Sequence, residues 1–483
     1  MEKCWHSCTC ERFTRATRPT KFTTSYRITK SQILRILVVM VMITNGVHGN
    51  DKCFCKLKGQ LEDCCCSVET VDSLNNAMIF PRISSLLSSF SYFKYFKVNL
   101  KKGCPFWPDD SRCAIKDCAV DFCSEDEIPI GITKSRVQEK TIQSTGNKVE
   151  FLENDDNNGK CAVGDLENLG NINSAISDEQ LGNFEQWNEH DDTEDKFCDI
   201  DDEQSPDMTY VDLTLNPERY TGYTGSSAKR IWDSIYKENC FQPQKQKLSY
   251  ANPKKSSIES MCLERRIFYR VVSGMHASIN IHLSYNFLLS GSMYGKKVWG
   301  PNVNEFRKRF DPDKTKGQGP VWLKNLYTTY LLVLRAVTKA KPYWEKETFY
   351  TGNAEEDKRL KDLVLDILKS AMTCPRTFDE TLMFSGDPLK ARNLKEEFRS
   401  HFYNITRIMD CVGCDKCRLW GKLQTQGLGT ALKILFSSDN WETIPVIKGK
   451  KFKLTRAEIV SLFNALGRFS SSVHALSKFR EMK

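Results

Sequence analysis

The residues with chemistry to offer are cysteines, 20 of them in a chain of 483 residues. Their sharpest grouping is Cys411-Val-Gly-Cys414-Asp-Lys-Cys417-Arg-Leu-Trp420. The spacing is i, i+3, i+6, so on a helix the three sulfurs lie near one face. Three chemistries compete for such a run. A structural zinc needs four ligands, and no fourth Cys or His lies nearby in the chain. A ferredoxin-type cluster wants another Cys where Gly421 stands, and a secretory compartment disfavours one. A redox-active Cys414/Cys417 pair, with Cys411 bonded elsewhere, is the third. Cys-x-x-Cys at a helix start gains from the helix dipole, which lowers a thiol pKa and favours the reactive thiolate. The motif also arises by chance in a Cys-rich chain, so spacing alone does not choose among the three.

Two further groups lie upstream. Cys104-Pro-Phe-Trp-Pro-Asp-Asp-Ser-Arg-Cys113 leads to Cys118 and Cys123. Steps of five match neither a helix face nor a zinc knuckle, and the Pro, Asp and Ser content favours irregular backbone. Cys53, Cys55 and the run Cys64-Cys65-Cys66 suit a structural staple of two bridges, with one Cys left over.

Residues 1–49 decide how these are read. Eight Lys/Arg against two acids precede the apolar run Ile36–Ile43 and a small-residue end at Gly49. That layout is a secretory signal with a long basic lead, and the run is too short to span a bilayer, which needs roughly 20 residues. Cys4, Cys8 and Cys10 leave with it, and the remaining cysteines meet an oxidising compartment where disulfides are expected. Asn404-Ile-Thr406 is the one glycosylation sequon. The tail Arg480-Glu-Met-Lys483 carries no retention signal, so retention in the endoplasmic reticulum would need another component.

A cycling dithiol needs an electron acceptor. Arg219-Tyr-Thr221-Gly222-Tyr223-Thr-Gly225 is Gly-rich and aromatic, with Trp232 close behind. Ser273, His276 and Asn280 share a face of an apolar helical stretch, and Gly274 permits close approach. Flat rings stack on Trp and His, and Arg grips pyrophosphate. Each of these residues is equally at home in an ordinary core. No Gly-x-Gly-x-x-Gly follows a strand, so no Rossmann site is expected.

The elements that must position these groups are helical. Leu263, Ile267, Val271, Met275 and Ile279 follow the 3.6-residue period, as do Tyr327, Tyr330, Leu331, Leu334 and Val337. Residues 358–369 and 457–469 read the same way. Between Phe151 and Asp207 stand 18 acids and two lysines, too little apolar surface to offset ordering, so a long mobile excursion is expected there. The formal charge is +9, of which residues 1–49 supply +6 (eight bases, two acids), leaving no basic footprint in the body for nucleic acid.

Taken together, Cys104-Pro-Phe-Trp107, Asn216-Pro-Glu-Arg-Tyr-Thr-Gly-Tyr223, Ser273-Gly-Met-His-Ala-Ser-Ile-Asn280 and Asp410–Gly427 resemble the endoplasmic oxidoreductins, flavin-dependent thiol oxidases that reoxidise protein disulfide isomerase. The resemblance runs from Cys53 to about Phe479. It implies a mainly α fold, a single helical domain around FAD, without a Rossmann motif and with a long Cys-bearing loop. It implies that Cys414 and Cys417 are the inner pair, Cys417 facing the flavin, and that Cys113 and Cys118 are the outer shuttle pair. Cys118–Cys123 and Cys113–Cys161 are implied as alternative, inhibitory pairings. Cys104–Cys411, Cys240–Cys262, Cys53–Cys66 and Cys55–Cys64 are implied as structural bridges. Arg219, Thr221, Trp232, Ser273, His276 and Arg309 are implied to contact FAD, with O2 as acceptor, H2O2 as product and no metal. Trp322 stands where some relatives have a further FAD-contacting Arg, and Cys65 and Cys374 are extra. The expected division is a signal at 1–49, a stapled segment at 50–100, the shuttle loop and acidic stretch at 101–207, and a FAD-binding core at 208–483. The expected setting is the endoplasmic reticulum lumen, with peripheral association to its membrane. The rivals are a non-catalytic disulfide-rich secreted binder and a metal protein using Cys411, Cys414 and Cys417.

Overall fold

A computed structural model describes residues 55–64, 66–108, 118–133, 197–201, 205–218, 225–241, 258–289, 298–373, 378–437, 446–447 and 450–482. The expected signal at 1–49, together with Cys53, Cys65, Cys113, Cys161, Arg219, Thr221 and Cys374, lies outside them.

The described chain is mostly helix. The elements that matter below are α1 (Val68–Leu74), α2 (Phe80–Ser89), β1 (Tyr95–Val98), β2 (Thr209–Asp212), α3 (Gly225–Asp233), α4 (Leu263–Tyr285), β3 (Phe287–Leu289), β4 (Val298–Gly300), α5 (Val303–Phe310), α6 (Gln318–Lys339), α7 (Ala354–Ala371), α8 (Pro388–Ile408), α9 (Asp415–Ser437) and α10 (Arg456–Glu481). The periodic stripes fall where the 3.6-residue rule puts them: Tyr327, Tyr330, Leu331, Leu334 and Val337 are all fully buried on α6, and Ile267, Val271 and Met275 are buried on α4.

Four of these helices form the core: α4 against α6, α9 against α10, with α6 and α10 joining the two pairs. Helix α10 is covered on nearly all sides, which is why its buried set includes Ser461, Asn464, Arg468, Ser470 and Ser472 beside the aliphatics. Its start is set by a capping box in which Thr455 and Glu458 satisfy each other's backbone amides. Asn353 and Asp387 cap α7 and α8 with side-chain oxygens that accept from first-turn amides, and Pro388 stands at the first helical position of α8.

Glycine fixes two of the crossings. A Cβ on Gly274 of α4 would meet Thr329 Oγ1 at 2.1 Å and Asn325 O at 2.5 Å on α6. One on Gly427 of α9 would meet Ser461 O of α10 at 2.2 Å. Only a residue without a side chain lets these backbones come so close.

Sheet is confined to short ladders. Antiparallel β1 and β2 pair from Tyr95↔Asp212 to Val98↔Thr209, and Phe122 bridges to Val211 on the other side of β2. Strands β3 and β4 form a hairpin, Phe287↔Gly300 to Leu289↔Val298.

The stretch expected as one loop from 101 to 207 is not uniform. Residues 118–133 and 197–201 are folded onto the core, with Cys118, Val120, Ile128, Ile132, Phe197 and Cys198 buried. The physical reason is local. These short runs carry apolar side chains that the acidic average over the whole stretch conceals, and Cys123 N donates to Tyr210 O at 2.9 Å to extend the ladder. No described helix is long and apolar enough to cross a membrane.

Candidate active site

The Cys414/Cys417 pair sits at the N-terminal end of α9. Cys414 immediately precedes the helix and its carbonyl accepts from Arg418 N at 2.7 Å, closing the first turn; Cys417 lies within that turn. Both are fully buried. The pair therefore stands at the positive end of a 23-residue helix dipole.

Cys411 is bonded to Cys104, across 307 residues of sequence, with Cα atoms 4.4 Å apart. That bond removes Cys411 as a third metal ligand beside Cys414 and Cys417. Arg418 reinforces the same joint: its buried guanidinium donates from Nε to Val412 O at 2.9 Å and from Nη1 to Leu100 O at 2.8 Å and Lys102 O at 3.4 Å. The segment before Cys104 is thus held against the turn that leads into the dithiol. Nearby, Trp107 N donates to Cys104 Sγ at 3.4 Å, and the Arg230 guanidinium lies 4.9 Å from the Trp107 ring. Lys422, one further turn along α9, pairs with Asp410 at 2.7 Å and Asp201 at 2.9 Å. Burial still raises the Asp410 carboxyl above its usual range.

Cys118 is buried and disulfide-bonded, to a partner outside the described residues. Cys123 is a half-buried thiol, pushed up in pKa by burial and by the carboxylates of Asp212 and Glu127. The implied Cys118–Cys123 pairing is therefore not the one formed here. The run 118–123 is docked through Asn216, a fully buried residue. Asn216 Oδ1 accepts from Asp121 N at 2.7 Å and its Nδ2 donates to Asp121 O at 2.7 Å. Asn216 O in turn accepts from Trp420 Nε1 at 2.7 Å.

The implied Cys240–Cys262 bridge is a correction. Both are thiols in this structure, Cys240 buried and Cys262 exposed at the start of α4. Their environments differ: burial alone pushes the Cys240 thiol up to about 12, where it is neutral and unreactive. Cys55, Cys64 and Cys66 are buried in the segment that precedes α1. Cys198 packs against Gly429 of α9, where a Cβ would come within 2.9 Å of its sulfur. Asn404 is half-buried on α8.

The residues expected at a planar cofactor do come together. Trp232 and His276 stack with ring centroids 3.6 Å apart and planes 15° from parallel. The Tyr236 hydroxyl lies 3.1 Å from His276 Nδ1. Burial and the Arg309 charge lower His276 to about 3, so the ring is neutral at physiological pH. Arg309 donates from Nη1 to Asn280 Oδ1 at 2.7 Å, while its buried Nε has no hydrogen-bond partner. Ser273 Oγ accepts from Asn325 Nδ2 at 3.0 Å; Asn325 Oδ1 accepts from Arg270, which also reaches Glu62 and Asp63 beside the N-terminal cysteines. The Ser273 hydroxyl also hydrogen-bonds the Tyr236 phenol, so the same side chain links the two helices to the residue beside His276. Trp322, at the departure from the family pattern, faces the Tyr269 phenol. Stacked planar groups, an oriented hydroxyl and a buried guanidinium with an unused donor fit FAD's rings and pyrophosphate.

A cavity of about 340 Å³ opens between α2, α4, α9 and α10, with Leu87, Glu218, Tyr285, Trp420 and Arg468 in its wall. Trp420 brings it within one helical turn of Cys417. Arg468 pairs with Glu218 and keeps Nη1 without a partner.

Sequence reasoning missed Arg418, Asn216, Tyr236, Arg270 and Asn325 as parts of this arrangement. Asn216 lay inside a quoted motif, and Arg418 adjoined Cys417; neither carried a sign of its distant partner.

Comparison with known proteins places these features in a family. Residues 78–476 match Endoplasmic Reticulum Oxidoreductin 1 (ERO1). The chain is 50% identical over 442 residues to ERO1-like protein alpha of Mus musculus, covering 89% of this chain and 92% of that protein. It is 49% identical over 468 residues to ERO1-like protein alpha of Homo sapiens, covering 92% and 97%. A solved structure, described as that of Ero1p, source of disulfide bonds for oxidative protein folding in the cell, superposes with a TM-score of 0.55 at 27% identity, covering 86% of this chain and 97% of the other.

Proposed function

Because the chain belongs to the Endoplasmic Reticulum Oxidoreductin 1 family, and so is an oxidoreductase of protein thiols associated with that organelle, we propose that it oxidises reduced protein disulfide isomerase in the lumen by a two-pair relay ending at FAD and O2. The observation that carries this reading is the short hydrogen-bonded path Trp420–Asn216–Asp121. It joins a residue three after Cys417 to a residue three after the disulfide-bonded Cys118.

The outer pair, Cys113 and Cys118, takes two electrons from the isomerase dithiol, whose two thiols become a disulfide while the outer disulfide becomes two thiols. The reduced outer pair then repeats the exchange on Cys414–Cys417, with Cys414 as the sulfur attacked. Burial of the inner pair keeps other thiols away, so electrons enter only through a partner that can reach it. The dipole of α9 stabilises the thiolate that each exchange releases.

Trp232, Ser273, His276 and Arg309, with Arg219 and Thr221, would hold FAD. When bound, FAD supplies the two-electron chemistry that reduces O2 to H2O2. The protein's part is orientation: Arg270 and Asn325 set the Ser273 hydroxyl, and Tyr236 fixes the His276 ring. Neutral His276 contributes a planar face without adding positive charge beside Arg309. The Cys104–Cys411 bond and Arg418 keep the approach to the inner pair in register.

The purified chain should be yellow, with absorbance in the flavin region near ~450 nm. Cys414→Ala and Cys417→Ala should each abolish O2 uptake driven by reduced isomerase while leaving the colour. A colourless protein without thiol turnover would return the chain to the class of disulfide-stapled binders.

A further inference from the structure

Asn216 is fully buried, and its four polar atoms are shared among three separate segments of chain. The amide side chain binds both backbone groups of Asp121, at 2.7 Å each, and Nδ2 also donates to Asp212 O at 3.0 Å. Its backbone N donates to Asp212 O at 3.1 Å, and its carbonyl accepts from the Trp420 indole at 2.7 Å. One residue thus ties β2, the segment carrying Cys118, and α9 together. Its neighbours make the tie stiff: Phe122 bridges to Val211, and Cys123 N donates to Tyr210 O.

An anchor so close to a reactive sulfur limits where that sulfur can go. Three residues of extended chain span at most about 10 Å, so with Asp121 fixed Cys118 can range only that far. Asn216, which holds that fixed point, is itself bonded through its carbonyl to Trp420, three residues from Cys417 on the same helix. An amide suits this task because it offers a donor and an acceptor in one plane and so matches the N–H and C=O of a single peptide residue. Ala would supply neither, and Asp would lose the donor while burying a charge.

We propose that Asn216 is a positioning residue for the relay: by clamping Asp121 to the Trp420 indole, it sets the approach of Cys118 to Cys414. The inference rests on the two-pair reading given above.

The test uses the full chain carrying Cys113→Ser and Cys417→Ser, which leaves Cys118 and Cys414 to pair. Diamide is the oxidant. It takes up two electrons and two protons as the two thiols join, and non-reducing peptide mapping follows the Cys118–Cys414 bond in time. With Asn216 present the bond should form readily. Adding Asn216→Ala should slow it tenfold or more, while the Cys104–Cys411 bond in the same map stays intact. Equal rates in a folded Asn216→Ala protein would overturn the proposal. Failure of the bond to form even with Asn216 present would instead refute the relay itself. Should Asn216→Ala not fold, Trp420→Phe removes the indole hydrogen bond while keeping an aromatic ring at that place. It should slow bond formation severalfold, and an unchanged rate would overturn the proposal just as well.

Discussion

At the scale of single residues, the neutral state of His276 has a measurable consequence. Its pKa falls from an ordinary value near 6.5 to about 3 on folding, through burial first and the Arg309 charge second. Below pH 6.5 the unfolded chain takes up a proton that the folded ring refuses until about pH 3. Stability is therefore full above pH 6.5 and declines as pH falls through that window, by up to about 1.4 kcal/mol per unit from this residue. Unfolding free energies from urea titrations at pH 7 and pH 5 should differ by about 2 kcal/mol more in the parent than in His276→Gln; parallel losses would show the ring does not titrate this way. The same scale shows where sequence reasoning stops. Cys414, Cys417, Trp232 and His276 announce themselves by type and spacing. Arg418, Asn216 and Asn325 do not, because their meaning lies in partners far along the chain: Leu100 is 318 residues from Arg418, and Trp420 is 204 from Asn216.

At the scale of elements, the crossing of α4 and α6 carries the candidate cofactor residues. Ser273 lies beside Gly274, and Asn325 and Thr329 lie opposite. Gly274→Ala would drive a methyl into Thr329 Oγ1 and Asn325 O, both fixed by hydrogen bonds, so the helices must separate. A loss of about 1–3 kcal/mol is expected, with reduced flavin content because Asn325 withdraws from Ser273. Thermal unfolding and absorbance would read both, and an unaltered melting temperature would mean the crossing relaxes without cost. Helices were the legible part of this fold. The stripes on α4, α6, α7 and α10 were visible because 3.6-residue periodicity is a local property. The folded islands at 118–133 and 197–201 were not, because a turn-rich composition beside the first and the acidic average around the second outweigh a few apolar residues whose burial depends on β2 and α8.

At the scale of the whole molecule, the Cys104–Cys411 bond closes the longest loop among the described residues that can be assigned. Restricting an unfolded chain over 307 residues stabilises the native state by about 6 kcal/mol in the loop-entropy account. Cys104→Ala with Cys411→Ala should lower stability by up to that amount, seen as a shift of the denaturant midpoint. It should also slow turnover, because the turn before Cys414 loses its covalent brace. A midpoint unchanged by the double substitution would mean that Arg418 alone holds the joint.

The β1–β2 ladder described above begins and ends the excursion between Val98 and Thr209 on facing rungs. The helical body is therefore indifferent to how many residues are spliced between those rungs, provided the docked runs near Cys118 and Phe197 are kept. A fluorescent reporter spliced between residues 133 and 197 should therefore leave the stability of the bundle unchanged, because both flanking runs stay anchored where they are.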